Sequence, residues 1–250
     1  MIPSITSIGK VWPLELAREE QSYAGALCVL RTSLAELTPL SEEALSAAEQ
    51  ERYDRIPADR RRFSFLCGRI AAKRALTRLS PEPDFTRIDI GEGVFSQPVV
   101  RGAAFHGTQV SIAHTEGIGA AVAFPEEHPM GIDVEIVRPE LERTVGSQMT
   151  AAEKEFHRQL PYAAAAGFAL MWSIKESLSK VLKCGLMTPF QILEVTAIDA
   201  TQPVIVSTFG NFAQYKTLSV VRGDVVLSLT LPKKTALDFD FLAAAGPLGD

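Results

Sequence analysis

Apolar and polar positions change period along the chain, and each change marks an element. "SEEALSAAEQERYDRI", residues 41–56, has helical spacing with Ser41 as cap and Glu42 and Glu43 in the first turn, and Pro57 ends it. A longer helical pattern runs from Arg60 to Leu79 and stops before Pro81. "FTRIDI" reads as a strand, and "VSIAHTEGIGAAVAF" as a hairpin turning at Glu116–Gly117. In "MGIDVEIVRP", residues 130–139, Ile132, Val134, Ile136 and Val137 make a strand in which Asp133 and Glu135 project from one face.

"TAAEKEFHRQL" then offers Thr150 as cap, with Glu153 at the capping-box position. The long helical run "AAAAGFALMWSIKESLSKVLKC" is closed by Gly185. Strands follow in "QILEVTAI", "PVIVSTF", "KTLSVVR" and "VVLSLTL", with a turn at Arg222–Gly223–Asp224, and "LAAAGPLGD" reads as a frayed end.

The order of elements repeats: a long helix carrying internal cations (Arg69 and Lys73; Lys175 and Lys180), then strands, then a hairpin. No residue-level repeat accompanies it. "PEEHPM", residues 125–130, reads as a linker or tight crossover. The pattern predicts an α+β chain of two similar α/β halves, residues 1–125 and 126–250, in a pseudo-twofold arrangement. Each half packs a long helix on a small, mainly antiparallel sheet, and paired halves tend to place a ligand at their junction.

Composition narrows the function classes. The 250 residues are 46% hydrophobic and 22% charged, ordinary for a globular chain, and the net charge of −5 argues against nucleic-acid binding. Cys28, Cys67 and Cys184 form neither a zinc spacing nor a disulfide framework, which points to a reducing compartment. Neither a signal-peptide core nor a membrane-spanning apolar run is present, so a cytoplasmic location is expected.

Two carboxylates side by side on a strand repel, and they are costly to cover. As a solvated edge or as partners of Arg138 or Arg143 they would need no further explanation. A second polar group changes that picture. In "MWSIKESLSK", residues 171–180, Glu176 and Lys180 share a helix face, while Trp172 reads as core. Asp133, Glu135 and Glu176 together would offer three hard oxygen ligands, suited to Mg²⁺ or Mn²⁺. Lys175 and Lys180 beside such a cation would suit a phosphate-bearing substrate.

"GIDVE" followed roughly forty residues later by "WSIKESLSK" resembles the paired motifs of the 4′-phosphopantetheinyl transferase superfamily, in its larger two-halved type that modifies carrier proteins. "RRFSFLCGR" and "SIAHT" upstream are similar to further motifs of that family. The resemblance covers residues 50–190 and implies transfer of the 4′-phosphopantetheine arm from coenzyme A to a serine of an apo carrier protein, releasing 3′,5′-ADP. It implies Mg²⁺ (or Mn²⁺) held by Asp133, Glu135 and Glu176, with Glu176 also as general base. Asp133 and Lys180 complete the catalytic group, Lys180 lying against the diphosphate with Lys175 nearby. His114 would meet a coenzyme phosphate, and Arg69 and Arg62, the latter within the run Arg60–Arg62, would serve the nucleotide. Two fused halves make a functional monomer reasonable.

Two positions depart from the family pattern. Ser96-Gln97-Pro98 lacks the usual cation at Gln97, and Ala113 replaces a serine before His114. These losses keep open a non-catalytic relative that binds coenzyme A or a carrier protein. A metal-dependent nuclease or phosphohydrolase fits poorly, because residue 137 is Val where that chemistry wants lysine.

Overall fold

The computed structural model describes residues 5–80 and 82–248, and within them the chain is mixed α+β, with helices packed on antiparallel sheets. It divides into two compact units: residues 1–128 with Leu237–Phe239, and residues 129–236 with 240–250.

The first unit opens with a hairpin, β1 (Lys10–Ala17) and β2 (Ser22–Arg31), in a region to which the sequence reading assigned no strand. Three short helices follow: α1 (Leu34–Leu37), α2 (Ser41–Ala44) and α3 (Ala47–Asp54). The single helix expected over 41–56 is therefore broken, because Leu45 is extended, and the cap that hydrogen-bonds is Ser46, not Ser41. The break leaves the Ala44 carbonyl free, and the ammonium of Lys73 donates to it at 2.8 Å.

Helix α4 (Asp59–Leu79) matches the expected span within a residue, and the two-stranded β3 (Asp89–Glu92) and β4 (Pro98–Arg101) follow it. Strands β5 (Thr108–Thr115) and β6 (Ile118–Pro125) form the expected hairpin, with Gly117 at φ 72° in the left-handed region that the turn requires. One face of α4 is apolar, from Phe63 and Leu66 through Ile70 to Leu76, and it packs into a core shared with Ala26, Cys28, Leu30, Ala121 and Ala123 of β2 and β6.

The second unit begins with β7 (Gly131–Ile136), followed by α5 (Leu141–Gln148), α6 (Ala151–Gln159) and α7 (Ala164–Val181). Thr150 and Glu153 make the expected capping box of α6. Past α7 both Lys183 (φ 56°) and the expected Gly185 (φ 51°) are left-handed, and Gly185 opens a 3₁₀ turn. Strands β8 (Val195–Asp199), β9 (Ile205–Phe209), β10 (Tyr215–Arg222) and β11 (Val225–Pro232) complete a sheet of order β7-β11-β10-β9-β8. Ile174 and Leu178 of α7 pack with Phe190, Leu193, Ile205 and Val226 in its core.

Strand β12 (Ala236–Leu237) lies at the edge of the first sheet, whose order is β12-β1-β2-β6-β5. The segment expected to fray instead begins within α8 (Phe241–Ala245), with Phe241 and Ala244 buried. Its last two residues lie outside the described ones.

Candidate active site

The second unit's site grows from two neighbouring elements, β7 and α7. Asp133 and Glu135 lie on the face of β7 turned toward α7, while Ile132 and Val134 are buried on the other. What lets α7 come close is the small size of what lies beneath it. A Cβ on Gly131 would stand 2.1 Å from the Ser177 carbonyl oxygen, so only glycine fits there. The sheet answers with hydroxyls: Ser177 and Thr230 oxygens are 2.7 Å apart, Thr217 and Thr230 2.6 Å, and Ser219 and Ser228 2.8 Å. Ser228 stands directly across from Asp133 on β11. Alternating Ser and Thr in "TLSVV" and "LSLTL" is the trace that this buried hydroxyl ladder leaves in the sequence.

Lys180 Nζ donates to Asp133 Oδ1 at 2.8 Å and to the Ile132 carbonyl at 2.9 Å. The other oxygen, Asp133 Oδ2, is buried without a hydrogen-bond partner among the described residues. Leaving a carboxylate oxygen so exposed to desolvation costs free energy unless something positive meets it. Glu176, one helical turn before Lys180, has its carboxyl pushed up to about 7, first by burial and next by the charge of Asp133. Glu135 is raised in the same way, by burial first and then Asp133, and its Oε1 accepts the Ile136 N–H at 3.1 Å.

The three carboxylates are thus electrostatic neighbours. They do not form a closed cage: no group of three His, Cys, Asp or Glu side chains among the described residues is gathered to hold a metal. Lys180 occupies one oxygen of Asp133, and Glu135 is turned onto its own strand. The donors are all hard oxygens, and one of them lacks a partner. That chemistry fits a hard divalent cation completed by ligands from elsewhere.

Lys175 stands apart from this group. It is 1% exposed, its Nζ lies 2.7 Å from Glu153 Oε1, and it donates to the Phe190 carbonyl at 3.0 Å. Its ammonium, expected near the substrate's phosphates, is therefore committed to the core. Five residues of helix separate it from Lys180, a turn of about 140° around the axis, so the two lysines face different ways.

The other expected site residues belong to the first unit. His114 is exposed on β5, and its ring edge lies near Gly68 of α4. Arg69 is buried, with Nε 3.2 Å from Glu49 Oε1 and its guanidinium 4.6 Å from the Phe65 ring centre. Arg62 stacks 4.6 Å over Tyr53. Ala113 is buried, and Gln97 closes the β3–β4 turn by accepting the Phe95 N–H at 2.9 Å.

Residues 129–230, which carry β7, α7 and the whole acidic group, match the family model of the 4′-phosphopantetheinyl transferase superfamily (ACPS). The match supports membership of this superfamily for the segment that carries the acidic group. It supports phosphopantetheinyl transfer as the general chemistry of that segment. No curated protein matches the chain significantly. Among the described residues, no helix is long and apolar enough to cross a membrane.

Proposed function

We propose that this chain transfers the 4′-phosphopantetheine arm of coenzyme A to a serine of an apo carrier protein, with release of 3′,5′-ADP. Glu176 carries the reading. A glutamate held near neutral pKa beside a half-satisfied aspartate, within the matched segment, suits a group that must accept a proton at physiological pH. Asp133, Glu135 and Glu176 would hold Mg²⁺ or Mn²⁺, which when bound neutralises charge on the substrate's phosphates. An open set of carboxylates supports this, because Mg²⁺ is commonly shared between one or two acids and substrate phosphates.

Glu176 takes the proton of the carrier serine, directly or through water. Lys180, three-quarters buried and anchored at Asp133, keeps its ammonium fixed as a point charge for the diphosphate. His114, Arg62 and Arg69 serve the nucleotide end in this reading. Lys175 contributes through the placement of α7 and not by contact. The protein works as a monomer in the cytoplasm, a reading supported by two units on one chain and by three unpaired cysteines.

Incubation with coenzyme A, Mg²⁺ and a panel of apo carrier proteins, read by intact mass, tests the proposal. A phosphopantetheine mass on a carrier serine, lost in chelator, is expected. Undiminished modification in chelator, or none across the panel, overturns it. The non-catalytic relative is the second reading, favoured by the commitment of Arg69 to Glu49 and by the lack of a cation at Gln97. It expects coenzyme binding without turnover.

A further inference from the structure

The two units share a buried ion pair in the same setting. In the first, Glu49 closes the Ser46 capping box, accepts the Ile90 N–H at 3.1 Å and pairs with Lys73, which donates to the Phe85 carbonyl at 2.9 Å. In the second, Glu153 closes the Thr150 capping box, accepts the Val195 N–H at 2.9 Å and pairs with Lys175, which donates to the Phe190 carbonyl. Strand register extends the match: Arg31 faces Ile118 as Ile136 faces Val225, so Cys28 and Leu30 occupy the positions of Asp133 and Glu135. Counting from the paired lysines, Arg74 and Arg78 stand where the second unit has Glu176 and Lys180. The proximity of Arg74 to Cys28, which it influences electrostatically, repeats that of Glu176 to Asp133.

At this register the first unit carries no acid and two arginines, and it has an open cleft of about 390 Å³ lined by both of them. We propose that this cleft binds a small organic oxyanion, a carboxylate or phosphate on a short apolar body, independently of the acidic site of the second unit.

The lining divides chemically. Arg74 and Arg78, one helical turn apart on α4, both line the cleft, and the guanidinium of Arg78 is suited to two-pronged contact with an oxyanion. Ser80, whose oxygen accepts the Glu82 N–H at 3.3 Å, adds a hydroxyl that can donate. Val11, Pro83 and Phe85 supply an apolar wall for the rest of the molecule. Arg74 is held in place by donating to the carbonyls of Ile5 and Ile8. Arg78 is exposed and makes no hydrogen bond or ion pair among the described residues, which leaves its charge available. The lining's acid, Glu82, is already engaged: it accepts the Asp84 N–H at 3.0 Å and lies 3.9 Å from Arg87. The volume is at the small end of ligand cavities, which limits the guest to a short chain.

Titration of the ¹⁵N-labelled full chain, in chelator, with hexanoate and separately with inorganic phosphate tests this. Saturable shifts of amides within residues 74–85 and at Val11 are expected with both probes, tighter with hexanoate. Arg78→Gln, at an exposed position, should weaken both by about tenfold, the loss of one charge-assisted contact. Arg78→Lys should retain part of the affinity, and Lys180→Gln should leave these shifts unchanged. Failure of both probes to saturate, equal affinity in Arg78→Gln, or loss of the shifts in Lys180→Gln overturns the proposal. Saturation by phosphate without hexanoate overturns the apolar guest.

Discussion

Lys180 Nζ and Asp133 Oδ1 are 2.8 Å apart, and this ion pair joins the end of the long helix to the edge strand of its sheet. It neutralises one oxygen of Asp133 and leaves the other, Oδ2, buried without a partner among the described residues. The helix and the strand are thereby held at the spacing that also brings Glu176 near both acids. Asp133→Ala should remove a ligand and free Lys180 together. Mg²⁺ or Mn²⁺ affinity, read by calorimetry, should fall at least about tenfold, and higher metal concentration should restore part of the activity. Unchanged metal affinity would exclude Asp133 as a ligand.

Glu176→Gln keeps the size of the side chain and one carbonyl oxygen, but the amide cannot accept a proton at neutral pH. Transfer to a carrier protein should lose kcat by roughly 10²–10⁴-fold, the usual effect of deleting a general base. Added Mg²⁺ should not rescue it, and the KM for coenzyme A should change less. Recovery of near-normal kcat at high Mg²⁺ would reduce Glu176 to a ligand.

The same residue makes stability depend on pH in the metal-free protein. In the unfolded chain its carboxyl has the ordinary value of 4.5, whereas in the folded chain it holds its proton to about 7. Between those values the folded state binds more protons, so stability falls as pH rises from 4.5 through 7. Urea unfolding in chelator should show this decline, and Glu176→Gln should flatten it. Mg²⁺ at pH 7.5 should raise the midpoint of the parent chain more than that of the variant.

Lys175 and Lys73 should behave alike, although only one lies in the matched segment. Each neutralises a buried glutamate that also caps a helix and accepts a strand amide. Lys175→Met and Lys73→Met should each destabilise the chain by about 3–5 kcal/mol, the usual effect of stranding a buried charge. Denaturant midpoints measure this. Protein folded at low temperature should keep its KM for coenzyme A in Lys175→Met and lose it in Lys180→Met. A selective KM effect at Lys175 would return that lysine to the substrate.

The sequence by itself determined the elements with a strong period and clear ends: α4, α6, α7 and the hairpin of β5 and β6. It also determined the chemistry of the acidic group, because strand period 2 places Asp133 and Glu135 on one face whatever surrounds them. Helix period likewise puts Glu176 and Lys180 together. The tertiary structure decided which side chains those faces meet. Lys175 looked like a second substrate cation, yet the core around Glu153 claims it, a long-range pairing that spacing along α7 does not encode. The broken helix at Leu45 follows from the same cause, since Lys73 needs the Ala44 carbonyl and the Glu49 carboxylate. The internal repeat shows along the chain only as an order of elements, because most of its matched positions differ in residue type, Asp133 answering to Cys28 and Glu176 to Arg74. Only hydrogen-bond register and the buried Glu–Lys pairs align the two units, and both arise from packing between segments distant in sequence.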